Sequence, residues 1–307
     1  SWRTMALSLY DRSCHAFAQG KQKIEPGTTF VGPVDLVRFD ERLYAFWTTG
    51  TELRYKFAML GPKGNKSCTG FANPTQGDCL TWSATQTLRT GGDYLGVTAY
   101  SFYNALFVAY NRANGVMQVD KYSVGSNGIL TFESSTWSGT SNVHFMSDFT
   151  PELVERHQGV HSRILGLIYL ARDGVFRSWG WNGSSWVHEG PMLDVNGGSI
   201  AGGQSPVAKA WPDSAVQGWP SNEKRTLAIL PSTGTFTRLY ILDFGSNRWL
   251  FADFGENTTT AGKPFLEHRT IRDADGLSLY DFRGHLMIGR LFHNPIWGNI
   301  ARFRLSS

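Results

Sequence analysis

Residues 34–47 read Val-Asp-Leu-Val-Arg-Phe-Asp-Glu-Arg-Leu-Tyr-Ala-Phe-Trp, which is two short β-rich runs around a polar turn. Branched and aromatic side chains favour strands, and the Asp-Glu-Arg step between them favours a chain reversal. A third β-rich run, residues 53–57, follows the turn at residues 48–51, and the segment closes near Trp82. This pattern predicts an antiparallel meander of strands.

Four later segments repeat the same plan, with first strands beginning near residues 94, 163, 225 and 277. Tryptophans close the first four segments at positions 82, 137, 186 and 249. A single meander cannot bury both of its faces, whereas radial stacking of several meanders buries each face against a neighbour. We therefore predict an all-β chain that forms a β-propeller, with five blades of four strands as the first choice. Six blades are the second choice, and a pair of β-sandwiches is the third.

The fifth segment ends after its third strand, so we expect an N-terminal strand, for instance residues 15–19, to close the ring and protect the sheet edge. The pentapeptide Leu-Ser-Leu-Tyr-Asp occurs at residues 7–11 and again at 277–281, which keeps a degenerate sixth unit open. The whole chain, residues 1–307, is predicted to be one propeller domain.

The composition excludes several classes of protein. Aromatic residues make up 14% of the 307 residues and charged residues only 18%, which excludes a disordered chain. The longest apolar run, residues 164–171, is much shorter than the ~20 residues of a membrane helix. The net charge of the chain is +4, and the basic residues are scattered among acidic ones. This distribution argues against a nucleic-acid partner.

Cysteines and glycosylation motifs favour a secreted or cell-surface protein. Cys68 and Cys79 flank a turn-rich loop that a disulfide would stabilise, leaving Cys14 unpaired. Asn-x-Ser/Thr motifs at Asn65, Asn182 and Asn257 are candidate glycosylation sites. The chain starts at Ser-Trp-Arg without a signal peptide, which fits either a trimmed or a mature form.

The phrases at residues 39–47 and 180–187, the latter Gly-Trp-Asn-Gly-Ser-Ser-Trp-Val, resemble blade phrases of tectonin-type and fucose-binding propeller lectins. That resemblance implies sugar recognition by exposed aromatic rings. The four closing tryptophans are explained by packing between sheets. The ligand-binding candidates lie instead at strand ends or in turn-rich stretches: Trp47, Trp181, Trp211, Trp219 and Trp297.

A glycoside hydrolase is the competing interpretation, because such enzymes need two carboxyl groups around the scissile bond. The phrase Gly-Pro-Val-Asp-Leu-Val at residues 32–37 resembles the first-blade aspartate of arabinanase-like propellers, although Leu36 replaces their proline. The first acids to test would be Asp35, Glu189 and Glu256, with Asp148 and Asp194 as further channel candidates.

The function predicted from the sequence is an extracellular propeller that binds a glycan or a glycosylated surface partner without catalysis. A glycoside hydrolase and a protein-interaction scaffold are the alternatives. The eight histidines are dispersed, and Asp273-Ala-Asp-Gly lacks the remaining ligands of a calcium loop, so we expect neither a metal nor a cofactor.

Overall fold

The computed structural model describes residues 2–3, 6–10, 17–23, 28–59, 65–66, 79–80, 82–139, 141–158, 162–212, 224–231, 237–243, 246–251, 274–282, 285–292 and 297–303. The chain divides into two compact units. The first comprises residues 1–114 and 118–135, and the second comprises residues 115–117 and 136–307.

Three small two-stranded pairings belong to the first unit. Their strands are β1 (Trp2–Arg3), β2 (Ala6–Tyr10), β3 (Phe17–Lys23), β4 (Thr29–Phe30), β8 (Asn65–Lys66) and β9 (Cys79–Leu80). β1 pairs with β4, β2 with β3, and β8 with β9, all antiparallel.

Two four-stranded sheets form the core of the first unit. Sheet I contains β5 (Asp35–Phe39), β6 (Arg42–Thr48), β7 (Glu52–Met59) and β10 (Gln86–Thr90). Sheet II contains β11 (Tyr94–Phe102), β12 (Ala105–Arg112), β13 (Met117–Val124) and β14 (Leu130–Ser138). Strand alternation turns the aromatic side chains of sheet I, such as Tyr44, Phe46 and Tyr55, towards Val97, Val108 and other apolar residues of sheet II. The two sheets therefore share one hydrophobic core.

Sheet II also contains a buried acid. Asp120 has no exposed surface. Its two oxygens accept five hydrogen bonds, from Arg89 Nε, Tyr110 Oη, Tyr122 Oη, Gln118 Nε2 and Ser135 Oγ. Arg89 Nη2 also forms an ion pair with Asp120 Oδ2 at 2.9 Å. A buried carboxylate is tolerated when it is paired and fully hydrogen-bonded, so Asp120 fastens β10 to sheet II.

The second unit contains three further antiparallel sheets. Sheet III consists of β15 (Glu152–Gln158), β16 (Ser162–Leu170), β17 (Phe176–Trp181) and β18 (Trp186–Pro191). Sheet IV consists of β19 (Val207–Pro212), β20 (Lys224–Pro231), β21 (Thr237–Asp243) and β22 (Arg248–Phe251). Sheet V consists of β23 (Ala274–Phe282), β24 (His285–Phe292) and β25 (Trp297–Phe303). One face of sheet III packs on sheet IV through residues such as Ile168, Phe176, Ala228 and Trp249.

The predicted meanders are confirmed, with differences at their ends. Sheets III and IV each have a first strand that the sequence analysis missed, β15 and β19. The fourth strand of sheet I is β10 and comes after Trp82, because the segment holding β8 and β9 is inserted between β7 and β10.

Ring closure by the N-terminus is not found among the described strands. The predicted closing segment overlaps β3, but β3 pairs with β2, and sheet V keeps three strands. β2 contains the first four residues of the first copy of Leu-Ser-Leu-Tyr-Asp, and β23 contains the whole second copy. The number of blades and the mode of closure remain predictions.

Candidate functional site

A partly exposed group of aromatic rings lies in the second unit, where the end of β14 and the following loop meet sheet III. The ring centroids of Trp137 and Phe145 each lie 5.4 Å from that of Trp179. The imidazole of His188 lies 4.8 Å from Trp179 and 5.1 Å from Phe145. None of the four side chains is fully buried. We call Trp137, Phe145, Trp179 and His188 the aromatic cluster.

Strand alternation places this cluster on one face of sheet III. In β17 the residues Phe176, Ser178 and Gly180 are buried, whereas Arg177, Trp179 and Trp181 are half-buried on the opposite face. Trp179 is directly opposite His188 on β18, where the strand register shifts. Trp181 is opposite Trp186 in the same pairing, with ring centroids 5.7 Å apart.

Two hydrogen bonds of the buried residue Tyr169 hold Trp179 and the loop at His144 in place. The Trp179 indole N–H donates to Tyr169 Oη at 3.1 Å, and the Tyr169 hydroxyl donates to the His144 carbonyl at 2.8 Å. Burial raises the pKa of Tyr169 to about 12, so its hydroxyl stays protonated at neutral pH. Trp179 is therefore fixed in orientation before any ligand arrives.

Polar pairs fasten the loop that carries Phe145, which contains a 3₁₀ turn at Val143–Phe145. His144 Nδ1 lies 2.7 Å from Asp173 Oδ2, which also accepts from Arg177 Nη2 at 2.6 Å. Burial alone would raise the pKa of Asp173, but the bonds from Arg177 and His144 lower it below its usual value. Asp173 is thus a carboxylate that joins the loop to β17.

A second ion pair holds the same loop. Arg172 Nε lies 3.0 Å from both carboxylate oxygens of Asp148, and its Nη2 lies 2.6 Å from Oδ1. The Arg172 backbone N–H donates to the Met146 carbonyl at 3.0 Å. The loop therefore has a defined position against sheet III, which favours a preformed site.

The pKa of His188 is held below the usual value for histidine, which favours the neutral imidazole at pH 7. Burial lowers the pKa of His188, the charges of Arg177 and His144 lower it further, and Glu189 acts in the opposite direction. A neutral imidazole offers both a flat apolar face and a hydrogen-bonding edge.

The tryptophans that were predicted to bind a ligand lie in different strands and do not form one group among the described residues. Trp181 lies on the exposed face of β17 beside the cluster. The expectation for Trp47 is wrong: it is completely buried, with its ring 5.8 Å from that of Phe30, because β6 is an interior strand covered on that face. Trp211 belongs to β19 and Trp297 to β25, with side chains outside the described part, and Trp219 lies outside the described residues altogether.

The tryptophans that close the predicted segments differ in burial. Trp186 and Trp249 are buried, which confirms their packing role. Trp137 keeps a half-buried ring in the aromatic cluster, although it was assigned to packing. The strand and turn patterns in the sequence did not point to Trp179, His188 and Phe145 as site residues. The Trp-Gly-Trp alternation at 179–181 was the signal that could have placed two rings on one face.

The described acids that were candidates for catalysis are engaged in structural contacts. Asp35 accepts from the backbone N–H groups of Ala99 and Leu36 at 2.6 and 2.9 Å. Glu189 forms an ion pair with the buried Arg156. Asp148 pairs with Arg172, and Asp194 accepts from the backbone of Asn196 and Gly198. Glu256 lies outside the described residues.

The predicted modifications are partly covered by the structure. Cys68 lies outside the described residues, and Cys79 is described only as part of β9, so the disulfide remains a prediction. Asn182 is exposed in the turn between β17 and β18, Asn65 lies in β8, and Asn257 is outside the described residues.

Among the residues that the structure describes, no group of three His, Cys, Asp or Glu side chains is arranged to hold a metal ion. The described part also contains no helix long and apolar enough to cross a membrane.

Two solved structures of β-propeller type superpose on most of this chain. Trypanosoma rangeli sialidase in complex with sialic acid superposes with a TM-score of 0.52 at 10% identity, over 94% of this chain and 46% of the sialidase. SapL1 lectin in complex with alpha methyl fucoside superposes with a TM-score of 0.51 at 12% identity, over 94% of this chain and 86% of the lectin. The fold is a β-propeller.

The propeller spans about half the length of the sialidase that it matches. No known protein-family profile matches the chain, and no curated protein matches it by sequence. At such low identity the two structural matches establish the fold alone, because one fold hosts many functions.

Proposed function

We propose that this propeller binds carbohydrate through the aromatic cluster, as an extracellular glycan- or glycoprotein-binding protein without catalytic activity. The observation that carries the proposal is the set of adjacent, incompletely buried rings of Trp137, Phe145, Trp179 and His188 beside one face of sheet III, with the Trp179 indole held by its hydrogen bond to Tyr169.

Aromatic rings of this kind suit the apolar C–H face of a sugar ring, because they bury a large area with little loss of side-chain freedom. Hydrogen-bonding groups lie next to them in His144, Asp173 and Arg177. A few polar groups beside an apolar surface are the usual composition of a small-ligand site.

Two propellers of the same fold support a saccharide ligand by analogy. The sialidase holds sialic acid, and SapL1 lectin holds alpha methyl fucoside. The same proposal includes a glycosylated surface partner as the carrier of the saccharide. The predicted glycosylation motifs of this chain support secretion. The glycoside hydrolase alternative is weaker, because each candidate acid that the structure describes accepts hydrogen bonds from backbone N–H groups or forms an ion pair with an arginine.

A glycan array followed by titration calorimetry tests the proposal with the wild-type protein, Trp137→Ala and Tyr103→Asn. Tyr103 is a matched control: it is an aromatic residue of the first unit that is 68% exposed, and Asn tolerates its positive φ of 51°. We expect Trp137→Ala to weaken saccharide binding roughly tenfold, as loss of an aromatic contact of about 1–2 kcal/mol would.

We expect Tyr103→Asn to bind like the wild type. Circular dichroism and thermal unfolding show whether each variant is folded. A folded wild-type protein that binds no saccharide on the array would refute the proposal, and so would an equal effect of the two substitutions.

A further inference from the structure

A second pair of aromatic rings continues the aromatic cluster along sheet III. Trp181 follows Trp179 by two residues in β17, so both side chains stand on the same face of the sheet. In the pairing of β17 with β18, Trp179 is opposite His188 and Trp181 is opposite Trp186. Trp181 therefore extends the cluster towards the turn that joins these two strands.

Trp181 is supported by a buried neighbour. Its ring centroid lies 5.7 Å from that of Trp186, at an interplanar angle of 50°. Trp186 is only 8% exposed, and its indole N–H donates to Thr136 Oγ1 at 3.1 Å. Trp181 itself is half-buried, so part of its side chain is open to solvent. Because the contact with Trp186 restricts the Trp181 ring before any ligand arrives, stacking on that ring loses little further conformational freedom.

Exposed polar groups lie next to Trp181. The turn at residues 182–185 joins β17 to β18, and all four of its residues are exposed. Asn182 Oδ1 accepts from the backbone N–H groups of Ser184 and Ser185, which gives the turn a defined shape. A flat apolar ring beside hydroxyl and amide groups has the composition of a small-ligand site.

Strand geometry sets the distance between the two stacking positions. Residues two apart in a strand are separated by roughly 7 Å along the strand axis. Adjacent sugar residues of a linear oligosaccharide are separated by a distance of the same order. A single pyranose stacked on Trp179 would therefore leave Trp181 uncovered, whereas a second linked residue would reach it and bury further apolar area.

We propose that the aromatic cluster and Trp181 form one extended site for a linear oligosaccharide, in which one sugar residue stacks on Trp179 and the next stacks on Trp181. This inference rests on the proposed carbohydrate-binding function and specifies the length of the ligand and the residue that recognises it.

Titration calorimetry tests the inference with β1,4-linked oligomers of glucose, N-acetylglucosamine, mannose and xylose, each series running from one to four residues. The protein is produced in bacteria, so that the predicted glycan at Asn182 is not attached beside Trp181. In at least one series, wild-type protein should bind the two- or three-residue ligand about tenfold or more tightly than the monosaccharide, as one added aromatic contact would produce.

Two substitutions separate stacking from packing. Trp181→Leu keeps an apolar side chain against Trp186 but removes the flat ring, so it should lose the gain with length and bind the monosaccharide like the wild type. Trp181→Phe keeps a smaller ring and should retain part of the gain, which covers the case in which Trp181→Leu does not fold. Val187→Thr is the matched control, since Val187 is 51% exposed on the opposite face of β18 and the substitution should leave every affinity unchanged.

A wild-type affinity that did not rise with ligand length would overturn this inference and leave the carbohydrate-binding function standing. A gain with length that survived in Trp181→Leu would also overturn it. An equal loss of monosaccharide and oligosaccharide binding in that variant would assign Trp181 a structural role instead. Binding of other glycans on the array, with none of the four series bound, would remove the inference alone, and no binding of any glycan would remove both proposals.

Discussion

The carboxylate of Asp35 bonds to the backbone of Ala99: Oδ2 accepts from the Ala99 N–H at 2.6 Å and so links strand β5 of sheet I to strand β11 of sheet II. Oδ1 of the same side chain accepts from the Leu36 N–H at 2.9 Å. The acid that resembles a catalytic aspartate in the sequence thus acts in the structure as a bridge between two sheets.

Replacing Asp35 should therefore reduce stability. Asp35→Ala leaves the Ala99 N–H without its acceptor, and we expect the free energy of unfolding to fall by about 1–3 kcal/mol. Asp35→Asn retains one acceptor oxygen and should lose less. Urea unfolding of the two variants measures the difference. An unchanged unfolding free energy in Asp35→Ala would contradict the bridging role.

Two opposed glycines make room for a buried ion pair in sheet III. Gly166 and Gly180 face each other across β16 and β17, beside Arg156 and Glu189. A Cβ atom at Gly166 would lie 2.5 Å from Arg156 Cδ, and one at Gly180 would lie 2.8 Å from Glu189 Oε1.

We expect Gly166→Ala to lower the free energy of unfolding by about 1–3 kcal/mol, because Arg156 is only 2% exposed and cannot move aside. Gly180→Ala should cost less, since the end of the Glu189 side chain can shift towards solvent. Urea unfolding of both variants decides this order, and the reverse order would show that the ion pair does not fill the space between the strands.

Stability should fall at alkaline pH because of Tyr169. Its pKa is about 12 in the folded protein against 10.0 for an ordinary tyrosine, since burial disfavours the phenolate. Above pH 10 the unfolded chain releases this proton while the folded chain keeps it. The stabilisation is therefore complete below pH 10 and is lost as the pH rises through 12, an effect of about 2–3 kcal/mol.

Urea unfolding at several pH values between 9 and 12 measures this loss in the wild type and in Tyr169→Phe. The variant should show a shallower decline with pH, whatever its stability at pH 8. Tyr103→Phe changes an exposed tyrosine and is the control. A decline in Tyr169→Phe as steep as in the wild type would assign the effect to other groups.

Asn182 is the glycosylation candidate that the structure exposes most clearly. It lies in the turn between β17 and β18, where its Oδ1 accepts from the backbone N–H groups of Ser184 and Ser185. When the chain passes through the secretory pathway of a eukaryotic cell, we expect a glycan at this position.

Asn182→Gln should then remove one glycan's mass in mass spectrometry, and endoglycosidase treatment should erase the difference between variant and wild type. Asn127→Gln, in another exposed turn without the motif, should leave the mass of the glycosylated protein unchanged apart from the substitution. A wild-type peptide containing unmodified Asn182 in the secreted protein would disprove the assignment.

Much of the fold was predictable from local pattern. Runs such as residues 34–39 and 43–47 read as strands, and Asp40 and Glu41 adopt the positive φ angles of a tight hairpin between β5 and β6. Strand β15 was missed because its sequence, Glu152-Leu-Val-Glu-Arg-His-Gln, carries charges that resemble a loop. Strand β19 was missed because Trp211-Pro-Asp at its end reads as a turn-rich stretch. The charged residues of β15 are tolerated because Glu155 pairs with Arg163 and Arg156 with Glu189, partners that lie on other strands.

The sequence by itself determined the class of fold, since alternating branched and aromatic residues between polar turns permit little except antiparallel sheets. It also determined which side chains share a face, because the period of a strand is two residues. Only the tertiary structure decided which face is covered. Trp47 and Trp179 both lie in aromatic-rich strands. Trp47 is fully buried and contacts Phe30, whereas Trp179 is half-buried and contacts His188. That difference depends on neighbouring segments which pack on each strand from elsewhere in the chain, and no local pattern contains it.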